Sequence, residues 1–141
     1  MSPQKTTIET ASHGATRLSV VLPHTDLALT RAALGEASRL ARGLHARVTV
    51  LAVRVVPFPD PLDPSRAFPG LQDLMALVES AEVPVTINIV YARDWDAACE
   101  QALDNGALVV IAVRKSLLRT REEKLAAHLT RTGHTVATVA A

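Results

Sequence analysis

The stretch AVRKSLLRTREEK, residues 112–124, gathers the densest group of side chains able to hold a ligand. Arg114, Lys115, Arg119 and Arg121 crowd together directly after an apolar run, ALVVIAV (107–113). Guanidinium forks grip phosphate oxygens at two points without a glycine-lined backbone. A helix opening just beyond would add the positive end of its dipole. The plainer alternative is a solvated turn whose charges keep it in water, with Leu117 and Leu118 packed on the sheet edge or on a partner. Thr25 and Asp26 follow another apolar run, RLSVVLP (17–23). Asp26 suits either a ligand's ribose or amine, as acceptor, or the first turn of a helix, as its cap. Asp94, Trp95 and Asp96 form a third group, in which Trp95 either stacks on a base, anchors a partner or folds over a helix start as cover.

Reaction chemistry finds little support. Two carboxylates spaced i, i+2 cap a helix more readily than they converge on one substrate or on Mg²⁺. A hydrolase using Asp94 or Asp96 has no visible nucleophile or metal set to complete it. The five histidines show no H-x-x-x-H spacing, and Cys99 is the only cysteine, so neither a metal site nor a disulfide framework is expected. His24 stands out only for its place beside the end of an apolar run. Cys99 shares an apolar face with Ala98, Ala102 and Leu103 and reads as a small buried hydrophobe. No G-x-S-x-G and no P-loop occurs. The expectation is no catalytic residue, no metal and no enzyme.

The elements that must position these residues alternate along the chain. RLSVVLP reads as a strand stopped by Pro23. A helix follows, with Ala33, Leu34, Ala37, Leu40, Ala41 and Leu44 on one face. Thr25 or Asp26 caps it, Gly43 is placed to end it, and Gly35 allows close packing on the sheet. RVTVLAVRVV (47–56) is a buried strand. The segment PFPDPLDP admits no regular element. GLQDLMALVES gives a short helix with Leu71, Leu74, Met75 and Val78 on one face. VPVTINIVYA (83–92) alternates like an edge strand. RDWDAACEQALDNG is a helix capped by Asp94 or Asp96 and ended at the turn around Asn105–Gly106. ALVVIAV is a central strand, and TREEKLAAHLTRTGH carries a capping box from Thr120 to Glu123, with Gly133 closing the helix. TVATVA is the last strand. Strands alternating with helices predict an α/β domain with a doubly wound, five-stranded parallel sheet covered by helices on both faces.

Composition bounds the partners. A chain of 141 residues is expected to make one domain over residues 17–141, after a polar stretch (1–16) read as a flexible leader rather than a secretory signal. Aromatics are only 3% against 48% hydrophobic residues, so the core must be aliphatic, and their scarcity argues against a base-stacking platform for single-stranded nucleic acid. A net charge of +1 argues against nucleic acid. No apolar run approaches the roughly 20 residues of a membrane span. A lone thiol fits a reducing cytoplasm.

Three stretches, VVLPHTDLALTRAALGEASRLA, NIVYARDWDAACEQAL and GALVVIAVRKSLL, resemble the universal stress protein family in element order and length over residues 17 to 140. The resemblance implies strand order 3-2-1-4-5, a non-enzymatic regulatory role in stress response, and an adenine nucleotide as the family's ligand. ATP-binding members carry an aspartate after the first strand and Gly-x-x-Gly, nine residues, then Gly-Ser or Gly-Thr after the fourth. Here Thr25 falls on the aspartate, with Asp26 one place later, and Ala112, Arg114 and Lys115 stand where the family has its glycines and their neighbours. The loop is also too short, because Thr120 already opens the last helix. Only Val53 to Val56 retain a backbone contact for adenine. These departures point away from ATP and toward members lacking the motif, which include domains appended to bacterial transporters. Two functions follow: a regulatory or protein-interaction module that has lost nucleotide, with a protein partner or a transporter, or a sensor binding a nucleotide or other anion through the basic turn. The resemblance also implies a homodimer through the last strand. TVATVA has no charge to guard its edge, so Thr135, Val136 and Val139 are expected at that interface.

Overall fold

A computed structural model describes residues 4–7, 18–55, 70–103, 107–114 and 119–141. Their elements are β1 (Gln4–Thr7), β2 (Ser19–His24), α1 (Leu27–Leu44), β3 (Arg47–Val55), α2 (Leu71–Glu79), β4 (Val85–Ala92), α3 (Trp95–Ala102), β5 (Leu108–Val113), α4 (Arg121–Arg131) and β6 (Thr135–Ala140). The sheet order is β1-β4-β3-β2-β5-β6. Five strands, β4-β3-β2-β5-β6, are parallel and give the expected 3-2-1-4-5 order when counted among themselves.

The continuous apolar runs are the strands buried on both faces. Val20, Leu22, Val50, Ile87 and Val110 meet α1 and α2 on one side. Val21, Leu51, Val90, Val109 and Ile111 meet α3 and α4 on the other. Leu22, Leu51, Leu74, Leu125 and Leu129 are almost wholly buried, each contributing about 1.5–3 kcal/mol of transfer free energy. This aliphatic interior holds the carboxyl ends of four parallel strands on one rim, where α1, α2, α3 and α4 begin. No helix among the described residues is long and apolar enough to cross a membrane.

Several local expectations are corrected. Within the stretch read as a flexible leader, Gln4–Thr7 forms β1, pairing antiparallel with β4 from Gln4↔Tyr91 to Thr7↔Asn88. The rest of that stretch lies outside the described residues. An open β4 edge would leave its backbone groups unpaired, and β1 covers it, so β4 is not an edge strand. Pro23 does not stop β2, which pairs with β3 through Pro23↔Leu51 and His24↔Ala52. Toward β5 the ladder covers only Val20 and Val21, and a residue without an N–H suits a flank with no ladder.

Helix α1 runs through Gly43, and His45 takes the left-handed cap at φ 52°. Gly35 is exposed, and a Cβ added there would meet nothing within 4 Å, so it does not serve close packing. Met75 points outward and Leu77 is buried in its place. The remaining caps match their residues: Asp94 opens α3, Thr120 opens α4, and Gly133 turns at φ 98° after it. The polyproline segment, Val56 and the Asn105–Gly106 turn lie outside the described residues.

Candidate functional site

The short β2–β5 ladder leaves the carboxyl ends of these two strands unpaired with each other. The sheet's connections reverse direction at this point, and such switch points are where open α/β sheets bind ligands. Asp26 and Arg114 stand on its two sides, after β2 and β5 respectively, and they meet. Arg114 Nη1 lies 3.2 Å from Asp26 Oδ2, and Arg114 Nη2 donates to Oδ1 at 3.4 Å. The same Oδ1 accepts the Leu29 amide at 2.8 Å, so Asp26 also caps α1. The two side chains are 40% and 54% exposed, a setting in which an ion pair contributes about 0–1 kcal/mol. Asp26 therefore caps α1 and at the same time holds Arg114.

Beside this pair, an open cavity of about 390 Å³ is lined by His24, Thr25, Val53, Arg54, Val55, Trp95 and Arg121. That volume falls within the range of small-molecule sites. Its position follows from local rules. His24 ends β2 and Thr25 follows it, and Val53 to Val55 end β3. Trp95 is the first residue of α3, whose cap is made by Asp94 accepting the Asp96 amide at 3.0 Å. Arg121 is the first residue of α4, whose cap is made by Thr120 Oγ1 accepting the Glu123 amide at 3.2 Å.

Trp95 is only 7% exposed and packs in the core with Ala98, Cys99 and Leu125. This supports its reading as cover over the helix start. Its face is closed by the Arg121 guanidinium, 3.8 Å above the ring centroid, a cation–π contact. His24 Nδ1 and Thr30 Oγ1 share a hydrogen bond of 2.6 Å, which satisfies a buried hydroxyl. Burial holds the His24 imidazole below its ordinary pKa, against the opposing charge of Asp26. Cys99 is fully buried, and burial, with the nearby Asp96 charge, pushes its thiol up to about 12. Among the described residues no three His, Cys, Asp or Glu side chains come together to hold a metal.

Of the site residues expected from sequence, Thr25, Val53 and Arg121 share the cavity, while Asp26 and Arg114 form the neighbouring pair. Arg119 is exposed. Lys115 lies outside the described residues, as do Leu117 and Leu118. The basic residues that are described do not converge on one point: Arg114 turns to Asp26 and Arg121 to Trp95. Arg54 and Val55 were anticipated only as backbone, within Val53 to Val56; their side chains and the wall-forming role of Trp95 were missed. A charge closing the otherwise apolar run of the second parallel strand was the available signal for Arg54. At the other end of the sheet order, β6 is the outer strand, with Thr135 exposed and Val136 and Val139 half-buried.

No family model matches the chain, and no curated protein matches its sequence. Solved structures do. A universal stress protein from Archaeoglobus fulgidus is 15% identical with a TM-score of 0.61, covering 86% of this chain and 92% of that one. A protein of the universal stress protein family from Burkholderia pseudomallei is 23% identical with a TM-score of 0.62, covering 92% and 100%. A universal stress protein in complex with cAMP is 20% identical with a TM-score of 0.57, covering 89% and 98%. At these identities the likeness is one of architecture, and it spans nearly the whole of each neighbour: the chain has the universal stress protein fold.

Proposed function

We propose that this chain is a non-enzymatic regulatory or protein-interaction domain in which an internal ion pair stands where related proteins hold nucleotide phosphates. One observation carries the reading. Arg114, the basic residue directly after β5, is engaged by Asp26 across the switch point, and no glycine follows β5 before Thr120 to shape a backbone cradle. The domain would act in the cytoplasm as a homodimer through the β6 edge, with Thr135, Val136 and Val139 at the interface, and would serve a protein partner or a transporter. The test is thermal unfolding against ATP, AMP and cyclic di-AMP, with and without Mg²⁺. A ligand at 100 times its dissociation constant stabilises a fold by about 2.7 kcal/mol. The expected result is no shift at millimolar concentrations, and a saturable shift of several degrees overturns the reading.

A second reading, a nucleotide or anion sensor, is favoured by the cavity beside the pair. It combines the apolar walls of Val53, Val55 and Trp95 with the polar groups of His24, Thr25 and Arg121. A structural neighbour holds cAMP, so cAMP belongs in the same panel. A saturable shift that Arg121→Ala removes would establish this sensor.

A further inference from the structure

We infer that Arg114 is an oxyanion site for a phosphoryl group whose resident anion is the protein's own Asp26, which must be displaced for ligand to bind. This goes beyond the sensor reading, whose cavity lies beside the pair, by adding a site that stands or falls separately. The guanidinium presents two nitrogens to two carboxylate oxygens, the same two-point arrangement that arginine uses on phosphate. The pair is loosely made: 3.2 and 3.4 Å exceed the roughly 2.7–2.9 Å of tight charge-assisted bonds. Both side chains are about half exposed, so an incoming anion reaches the guanidinium without unfolding anything.

Asp26 can release Arg114 cheaply. Its Oδ1 also accepts the Leu29 amide at 2.8 Å, so the carboxylate can give up the guanidinium and still cap α1. The amino end of α1, behind Asp26, favours an anion in the vacated position. Thr25, the preceding residue, lines the cavity, so a phosphoryl group at Arg114 has room nearby for whatever carries it. The pair therefore sets a threshold: the anion competes with a tethered carboxylate, and the wild-type chain responds only at high ligand concentration.

The test is calorimetric titration of the full chain with pyrophosphate and with ADP at low ionic strength. Asp26→Asn removes the competing charge yet keeps a good N-cap, and Asp26→Ser does the same should the first fold poorly. Removing a unit charge a few ångströms from the anion should tighten binding on the order of tenfold. The gain should vanish when Arg114→Gln is added. Equal affinity of wild type and Asp26→Asn overturns the inference, as does a gain that survives Arg114→Gln. A gain equal for both probes assigns the site to the phosphoryl group alone, and a larger gain for ADP adds the cavity as the seat of the nucleoside; both support it. The two readings fail separately. If nucleotides leave the wild type unmoved while Asp26→Asn gains affinity, the displaced-carboxylate site stands and the sensor reading falls. If nucleotides shift the wild type and Asp26→Asn merely matches it, the sensor stands and this inference falls.

Discussion

Replacing Arg121 with alanine should change the spectroscopy of this protein far more than its stability. Trp95 is the only tryptophan, 7% exposed, with the Arg121 guanidinium 3.8 Å over its ring. The substitution removes a cation–π contact worth about 0.5–1 kcal/mol at an exposed site. It also removes a positive charge from the first residue of α4, where the helix dipole disfavours it by about 0.3–1 kcal/mol. The two effects nearly cancel. For a chain of 141 residues, 1 kcal/mol corresponds to about 3 °C in Tm, so Tm should move by no more than that. The uncovered ring face, by contrast, should emit further to the red and become accessible to acrylamide, a neutral quencher insensitive to the lost charge. Unchanged emission and quenching would refute the placement of Arg121 over Trp95. A fall in Tm above about 6 °C, some 2 kcal/mol, would show that Arg121 holds the fold together rather than roofing the cavity.

Three further outcomes are expected. Gly35→Ala should stabilise the protein by about 0.8–1 kcal/mol, seen as a rise of roughly 3 °C in Tm, because the site is an exposed helix interior with space for a Cβ; a loss would mean the glycine is needed for packing after all. Cys99, its thiol pushed up to about 12 by burial, should resist a disulfide reagent at pH 8 in the native protein and react fully in denaturant; fast native labelling would contradict its burial. His24 has a folded pKa below its unfolded value near 6.5, so folding favours the neutral ring. The stability this contributes is complete above pH 6.5 and is lost as pH falls through the folded pKa. Denaturant midpoints measured from pH 7.5 to 5 should fall in the wild type and fall less in His24→Asn, and identical profiles would remove His24 as the cause.

The parallel sheet was legible because burial on both faces writes itself as unbroken apolar runs, RVTVLAV and ALVVIAV above all. Caps were legible for a similar reason: Asp94 and the pair Thr120 and Glu123 satisfy donors only a few residues away. What sequence could not display were relations across the sheet. Asp26 and Arg114 are 88 residues apart, and neither carries a local mark of the other. β1 was missed because a polar tetrad such as QKTT lacks apolar periodicity; an edge partner supplies its pairing instead. Gly35 and Gly43 illustrate the limit of punctuation signals, since an 18-residue helix packed along one face carries both within its length.

Counting arginines in the basic turn overstates the field at the rim formed by the strands' carboxyl ends. A doubly wound sheet sets the positive ends of its helices along one rim, which by itself attracts anions. In this chain each of those ends carries its own acid: Asp26 at α1, Asp73 in α2, Asp94 and Asp96 at α3, and Glu122 and Glu123 at α4. Asp26 further engages Arg114, and Arg121 lies on Trp95. Most of the positive potential that the fold offers is therefore neutralised before any ligand arrives. Such a rim cannot select an anion by charge alone, because any net attraction is small and screened within about 10 Å at 0.1 M salt. Selectivity has to come from the cavity wall, from the fit of an apolar body against Val53, Val55 and Trp95. A charged group then has only to compete for one guanidinium. On the sensor reading it follows that ligands should rank by their apolar body first and their phosphate count second, the reverse of the order a glycine-built phosphate cradle imposes.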